Sequence, residues 1–158
     1  MNKKLKLYLD DVRTPNDTEW IVVKNYDEFV HEINFRGLDS FEVISLDHDL
    51  GEDAMTEYYT NVQNNYTLDY NNINEKTGLD CCKFLVSYSL KNDIPLPLVY
   101  VHSANPIGSA NMMGYINNYL KNSRLPQTCV GVKIPHTISP SLEMSPEMRK
   151  MRWDKTNK

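Results

Sequence analysis

The chain has 158 residues, 41% of them hydrophobic and 24% charged, enough for one compact domain with its own core. A formal net charge of −4 and a pI near 5.5 exclude broad electrostatic attachment to duplex DNA or to an anionic membrane, but not capture of a single phosphorylated group. No apolar run approaches the ~20 residues of a membrane helix, the opening MNKKLKLYLDD lacks the apolar core of a signal peptide, and Cys81, Cys82 and Cys129 form an odd set without CxxC spacing, as expected of reduced thiols in a cytoplasmic protein.

Leu5 to Leu9 (LKLYL) alternates β-rich residues and predicts a first strand, after which the chain turns polar at DVRTPNDTE. Trp20 to Lys24 (WIVVK) predicts a second strand, with no helical pattern between the two. Asn25 is placed to cap a helix through NYDEFVHEINFRG, with Asp27 and Glu28 in its first turn, Phe29, Val30 and Ile33 on one face, and Gly37 as its stop. FEVISLDHDLG, Phe41 to Gly51, reads as a continuous apolar strand that ends in acids.

Glu52 to Lys76 is polar, rich in Asn and Tyr, and too long for an ordinary connector; it reads as a functional lid or a mobile insertion. Thr77 is placed to cap a helix through TGLDCCKFLVSYSLKND, with Leu79, Cys82, Leu85, Val86 and Leu90 on its apolar side. PLVYVHSANP predicts a buried strand, IGSANMMGYINNYLKNS a helix burying Met112, Met113, Ile116 and Leu120, and Thr128 to Pro135 a last strand. The tyrosines and the Met112–Met113 pair read as packing, and His31 as a solvent-facing helix residue. Residues 1–135 thus form one domain with an insertion at 52–76, and 136–158 form a partly ordered extension with a basic end, RKMRWDK.

Buried strands alternating with helices predict an α/β domain, a mostly parallel sheet flanked by helices in three layers. In such sheets ligands bind beyond the carboxyl ends of the strands. Those ends carry Asp10 and Asp11; Asp47, His48 and Asp49; His102, Ser103 and Asn105; and Lys133. Carboxylates gathered in one crevice require a cation, and an oxygen-rich donor set suits Mg²⁺ or Mn²⁺. A lysine and a hydroxyl beside it suit phosphate oxygens. Asp10–Asp11 alone would serve as a loop start, DHDLG as a turn, and His102 as a core histidine; their recurrence at equivalent strand ends is what favours a site.

An acid pair after the first strand, Asp47 after the third, Ser103–Ala104 after the fourth and Lys133-Ile134-Pro135 after the fifth resemble the pattern of response-regulator receiver domains. The words LYLDDVRTP, ISLDHDLG, TGLD and VHSANPIG resemble, more specifically, the motifs of the cyclic-phosphate-processing receiver domain family, from about Leu5 to Leu120. The resemblance implies a flavodoxin-like fold and functional residues at Asp10, Asp11, Arg13, Asp47, His48, Asp49, His102, Ser103 and Asn105. The long insertion, the continuation into the Lys133 strand and the missing helix between the first two strands depart from the family pattern.

The expected activity is metal-dependent opening of a cyclic phosphate, in a cyclic nucleotide or at an RNA 2′,3′-cyclic phosphate end. Asp10, Asp11, Asp47 and Asp49 would hold Mg²⁺ or Mn²⁺; Asp47, His48 and His102 would do the chemistry, a histidine serving as acid and base; Arg13, Ser103, Asn105 and Lys133 would bind phosphate oxygens. The alternatives are a signalling receiver phosphorylated on Asp47 and a non-catalytic cyclic-nucleotide binder. The expected partner is a small phosphorylated ligand or a nucleic-acid terminus.

Overall fold

A computed structural model describes residues 3–15, 18–126 and 129–132. Its centre is one all-parallel sheet of five strands in the order β2-β1-β3-β4-β5. In chain order the strands are β1 (Leu5–Leu9), β2 (Trp20–Val23), β3 (Phe41–Leu46), β4 (Leu98–Val101) and β5 (Cys129–Gly131). This is a flavodoxin-like strand order, and it reverses direction between β1 and β3. As the missing helical pattern in the sequence implied, no helix lies between β1 and β2 among the described residues.

Three helices connect the later strands. α1 (Tyr26–Arg36) is capped by Asn25, whose side chain accepts the Glu28 N–H, and is closed by the Gly37 N–H on Ile33 O. Two further helical pieces, α2 (Glu52–Glu57) and α3 (Gln63–Asn65), are joined by a π turn at Tyr58–Val62 and belong to the insertion. α4 (Gly78–Asn92) begins in a reciprocal box in which Thr77 and Asp80 satisfy each other's backbone N–H. α5 (Pro106–Asn122) begins with proline, and the Asn105 side chain accepts the Gly108 N–H.

The crossovers after β2, β3 and β4 all run the same way along the sheet, so right-handed connections place α1, α4 and α5 on one face. The core lies there: Leu7, Leu9, Ile44, Leu46, Val99 and Val101 from the strands meet Phe29, Ile33, Cys82, Leu85, Met112 and Ile116. Each such side chain contributes about 1.5–3 kcal/mol by leaving water. Cys81, Cys82 and Cys129 are buried and free, and burial pushes all three thiols up, Cys129 to about 12.

Two expectations need correction. Leu90 is 64% exposed; the buried side of α4 runs instead through Cys81, Cys82, Leu85, Val86 and Ser89, because steps of three and four residues from Cys81 lead to Leu85 and Ser89 and leave Leu90 off the stripe. The third strand stops at Leu46 rather than running to Gly51. Asp47 makes one more ladder bond, its N–H to Leu9 O at 3.0 Å, before the carboxylate-bearing segment turns away.

The insertion is a folded unit. Met55, Tyr58 and Val62 form a small core with Tyr59, Leu68 and Ile107. Glu57, only 3% exposed, accepts the Asp69 N–H at 2.9 Å and the side-chain amides of Asn61 and Asn72 at 2.9 and 2.8 Å. Burial alone would raise its pKa, but these donors hold it below the usual carboxylate value. The expected strand end at Lys133 and the extension 136–158 lie outside the described residues.

Candidate functional site: two buried polar clusters at the strand ends

Asp10, Asp47 and His102 occupy equivalent places. Each is the first residue beyond its strand and still donates its N–H into the ladder, to Val23, Leu9 and Leu46 respectively. The sheet therefore fixes three backbones side by side at the point where the strand order reverses. Side chains alternate across a strand, so Ser45 and Asp47 fall on one side of the β3 end and Leu46 and His48 on the other. The result is two clusters, separated by the chain at Asp47–His48.

The first cluster is acidic. One oxygen each from Asp10, Asp11 and Asp47 lie within 4.8 Å of one another. Asp10 and Asp47 are 0% and 1% exposed, and between them sits Arg13, also 1% exposed. Its Nε donates to Asp10 Oδ2 at 2.8 Å and its Nη2 lies 3.2 Å from Asp47 Oδ2. Burial by itself would weaken the guanidinium's hold on its proton; Asp47 first and Asp10 second outweigh that and raise it above its ordinary value.

Asp10 gathers donors on both oxygens. Oδ1 accepts the N–H groups of Val12 and Arg13 at 2.9 and 2.8 Å; Oδ2 accepts Arg13 Nε and faces His102 Nε2 at 3.1 Å. Because a carboxylate only accepts, the Asp10 contact places a proton on His102 Nε2, and Nδ1 pairs with Ser45 Oγ at 2.7 Å. The imidazole also stacks on Tyr8, centroids 4.4 Å apart and planes 10° off parallel. His102 is thus held on both nitrogens and one face.

The second cluster centres on His48, which is 0% exposed. Nδ1 donates to Asp49 Oδ1 at 2.7 Å, and Nε2 meets the Tyr70 hydroxyl at 2.9 Å. Asn105 Nδ2 donates weakly to both Asp49 oxygens at 3.3 and 3.4 Å, while its Oδ1 caps α5. Asn111 Nδ2 donates to the Tyr70 oxygen at 3.1 Å. Two glycines let the helices come this close. A Cβ at Gly108 would lie 2.4 Å from the His48 ring, and one at Gly78 would lie 2.0 Å from Asp47 O.

The structure thus brings Asp10, Asp11, Arg13, Asp47 and His102 together, and places His48, Asp49 and Asn105 in the neighbouring cluster. Asp49 faces His48 rather than the other three aspartates. Ser103 is half-buried, and its Oγ accepts the Asn105 N–H at 3.1 Å, shaping the turn into α5. Lys133 lies outside the described residues. The reading of the tyrosines as packing holds for Tyr8, buried and stacked on His102, and fails at Tyr70, whose hydroxyl meets His48 Nε2.

Three neighbours of the site were not identified from sequence. Ser45 carried a usable signal: it is the lone polar residue late in an apolar strand, two positions before Asp47 and therefore on its side. Tyr70 and Asn111 carried none, since their meeting depends on how the insertion folds against α5.

Three carboxylates around one point, all oxygen donors, fit a hard divalent cation such as Mg²⁺ or Mn²⁺. No helix among the described residues is long and apolar enough to cross a membrane. The model of the cyclic-phosphate processing receiver domain family matches residues 5–118. Searches of curated proteins and of solved structures give no match.

Proposed function

The chain belongs to the cyclic-phosphate processing receiver domain family, and on that premise we propose that it is a metal-dependent phosphoesterase that opens a cyclic phosphate, in a cyclic nucleotide or at an RNA 2′,3′-cyclic phosphate end. The observation that carries the reading is the meeting of Asp10, Asp11 and Asp47 within 4.8 Å, with a buried histidine in each of two adjoining clusters. A receiver that only accepts a phosphoryl group has no use for the histidines. Ring opening has one, because a water must lose a proton and a departing alkoxide must gain one.

Asp10, Asp11 and Asp47 would hold the cation, and Asp10 also fixes the loop and Arg13. Once bound, the cation would neutralise phosphate charge and polarise a phosphoryl oxygen. The protein's own part is preorganisation. Arg13 offsets the charge of Asp10 and Asp47, so the cluster survives burial without its ligand. Asp10 and Ser45 clamp His102 in one orientation. Ser103 and Lys133 are assigned to phosphate oxygens, and His48 and His102 to proton transfer.

The test is turnover of a panel of cyclic phosphates by the purified protein with Mg²⁺, Mn²⁺ or EDTA, beside Asp47→Asn. Metal-dependent ring opening that falls by about 10²–10³-fold in the variant supports the reading. Absence of turnover, with acetyl phosphate instead labelling Asp47, replaces it with the signalling receiver.

A further inference from the structure

α1, α4 and α5 all lie on the sheet face that holds the core, and the insertion packs its small core against Ile107 of α5. Among the described residues no helix lies on the opposite face. The strand registers assemble that face row by row. They align Trp20 with Val43 and Leu98 in one row across the sheet, and Val22 with Tyr100 and Val130 in the next. Aligned residues of neighbouring parallel strands point to the same side. All six are apolar or aromatic, and none belongs to the core cluster. An all-parallel sheet is found almost only with both faces covered, because strands that are apolar on both sides have two faces to remove from water.

We propose that the chain's own carboxyl-terminal segment, residues 133–158, covers this face, with Met148, Met151 and Trp153 laid against the two rows. Length and starting point allow it. The segment begins directly after Val132, at the β5 edge of the sheet. The far edge, β2, is four strand spacings away, about 19 Å, which an extended chain crosses in about six residues; 26 residues follow Val132. Composition supplies the cover, since Leu142, Met144, Met148, Met151 and Trp153 recur through it. Charge selects it over a second copy. Residues 1–132 hold 11 Lys and Arg against 18 Asp and Glu, whereas residues 133–158 hold six against three. The segment is therefore drawn to the body of the protein, while a second copy would bring a further net charge of −4. A tether also keeps the segment at high effective concentration beside the face.

The placement ties the segment to the candidate site. Tyr8, Ser45 and Tyr100 stand two residues before Asp10, Asp47 and His102, so the face runs into the acid cluster at its carboxyl end. Tyr8 also carries the His102 ring, stacked at 4.4 Å. A segment laid over the rows forms the floor of that cluster on the side away from the helices. It brings Arg149, Lys150 and Arg152 to a face that ends in three carboxylates. The placement stands whatever reaction the site performs.

The test is NMR on the full chain with labelled methyl groups, together with amide hydrogen exchange, in the wild type and in Leu98→Lys and Val130→Lys. Leu98 and Val130 are 36% and 43% exposed, so the fold accommodates a lysine at either. The wild type is expected to show nuclear Overhauser contacts from the Trp153 indole and the Met148 and Met151 methyls to the methyls of Val22, Val43 or Val130. Amides of residues 142–153 should exchange at least about tenfold more slowly than in an unstructured chain. Each lysine variant, and Trp153→Ala, should speed that exchange by about tenfold while α4 and α5 keep their protection. Leu90→Lys, at a 64% exposed position on α4, should leave it unchanged. Absence of contacts between the segment and the two rows in the wild type overturns the proposal, as does exchange over 142–153 that ignores both lysines. A dimer by light scattering, with contacts to the rows arising between differently labelled chains, overturns it in favour of a second copy.

Discussion

The two clusters at the strand ends manage burial in opposite ways. Around Asp10 and Asp47 the problem is charge. Two buried carboxylates and a half-buried third are offset in part by a buried guanidinium, and Asp10 is bonded to Arg13 and faces His102. Around His48 the problem is hydrogen bonding: a single carboxylate, an imidazole, a phenol and two amides satisfy one another in a chain with little net charge. Three carboxylates around one guanidinium leave negative charge over, so the cluster is costly to strip of Arg13 and suited to a visiting cation. A hydrogen-bonded chain is cheaper to perturb, and it passes protons. The difference teaches that one side of the β3 end gathers charge and the other a chain of hydrogen bonds.

The comparison breaks most visibly at Arg13. Arg13→Met leaves Asp10 and Asp47 buried without their cation and should cost about 3–5 kcal/mol in urea unfolding. Adding Asp10→Asn to that variant should recover part of the loss. A loss under about 1 kcal/mol would mean the acids find compensation elsewhere and that Arg13 is not what offsets them.

On the other side, Gly108→Ala drives a methyl into the His48 ring and should cost about 1–3 kcal/mol, read as a lowered Tm. It should displace His48 from Asp49 while leaving the Asp10–Arg13–His102 resonances unmoved. Coupled movement of both clusters would show that they are one site rather than two.

Glu57 tests whether the insertion that carries Tyr70 is held by its own interactions. Glu57→Ala strands the Asp69 N–H and two side-chain amides, and should cost about 1–3 kcal/mol locally, seen as lost hydrogen-exchange protection over residues 52–76 with the sheet unaffected.

The smallest effect is on pH. Glu57's folded pKa lies below its unfolded one, so its contribution is complete above the unfolded carboxylate value of about 4.3 and fades as pH falls through the folded value. Insertion protection should therefore weaken in acid before the sheet loosens. Simultaneous loss of both would assign the acid sensitivity to other carboxylates.

Much of this was legible in the chain itself. Strand periodicity gave β1 to β4 to within a residue or two at their starts, because fully buried parallel strands must be apolar whatever packs on them. Polar residues at strand ends gave the acid set, because a parallel sheet aligns those ends in space. The separation of Asp47 from His48 follows the two-residue alternation that already separates Ser45 from Leu46, whereas Asp49, which alternation would return to the Asp47 side, turns to His48.

What only the tertiary structure decided was partnership. Arg13 reads in sequence as a free cation for phosphate, yet it is spent between Asp10 and Asp47. Asp49 reads as a fourth metal ligand, yet it faces His48. Tyr70 reads as packing in a polar insertion, yet it closes the His48 chain from 22 residues away. Local pattern sets which face a residue takes, because that depends on backbone geometry alone. Which charge meets which carboxylate depends on how a loop and an insertion close over the sheet, and no periodicity records that closure.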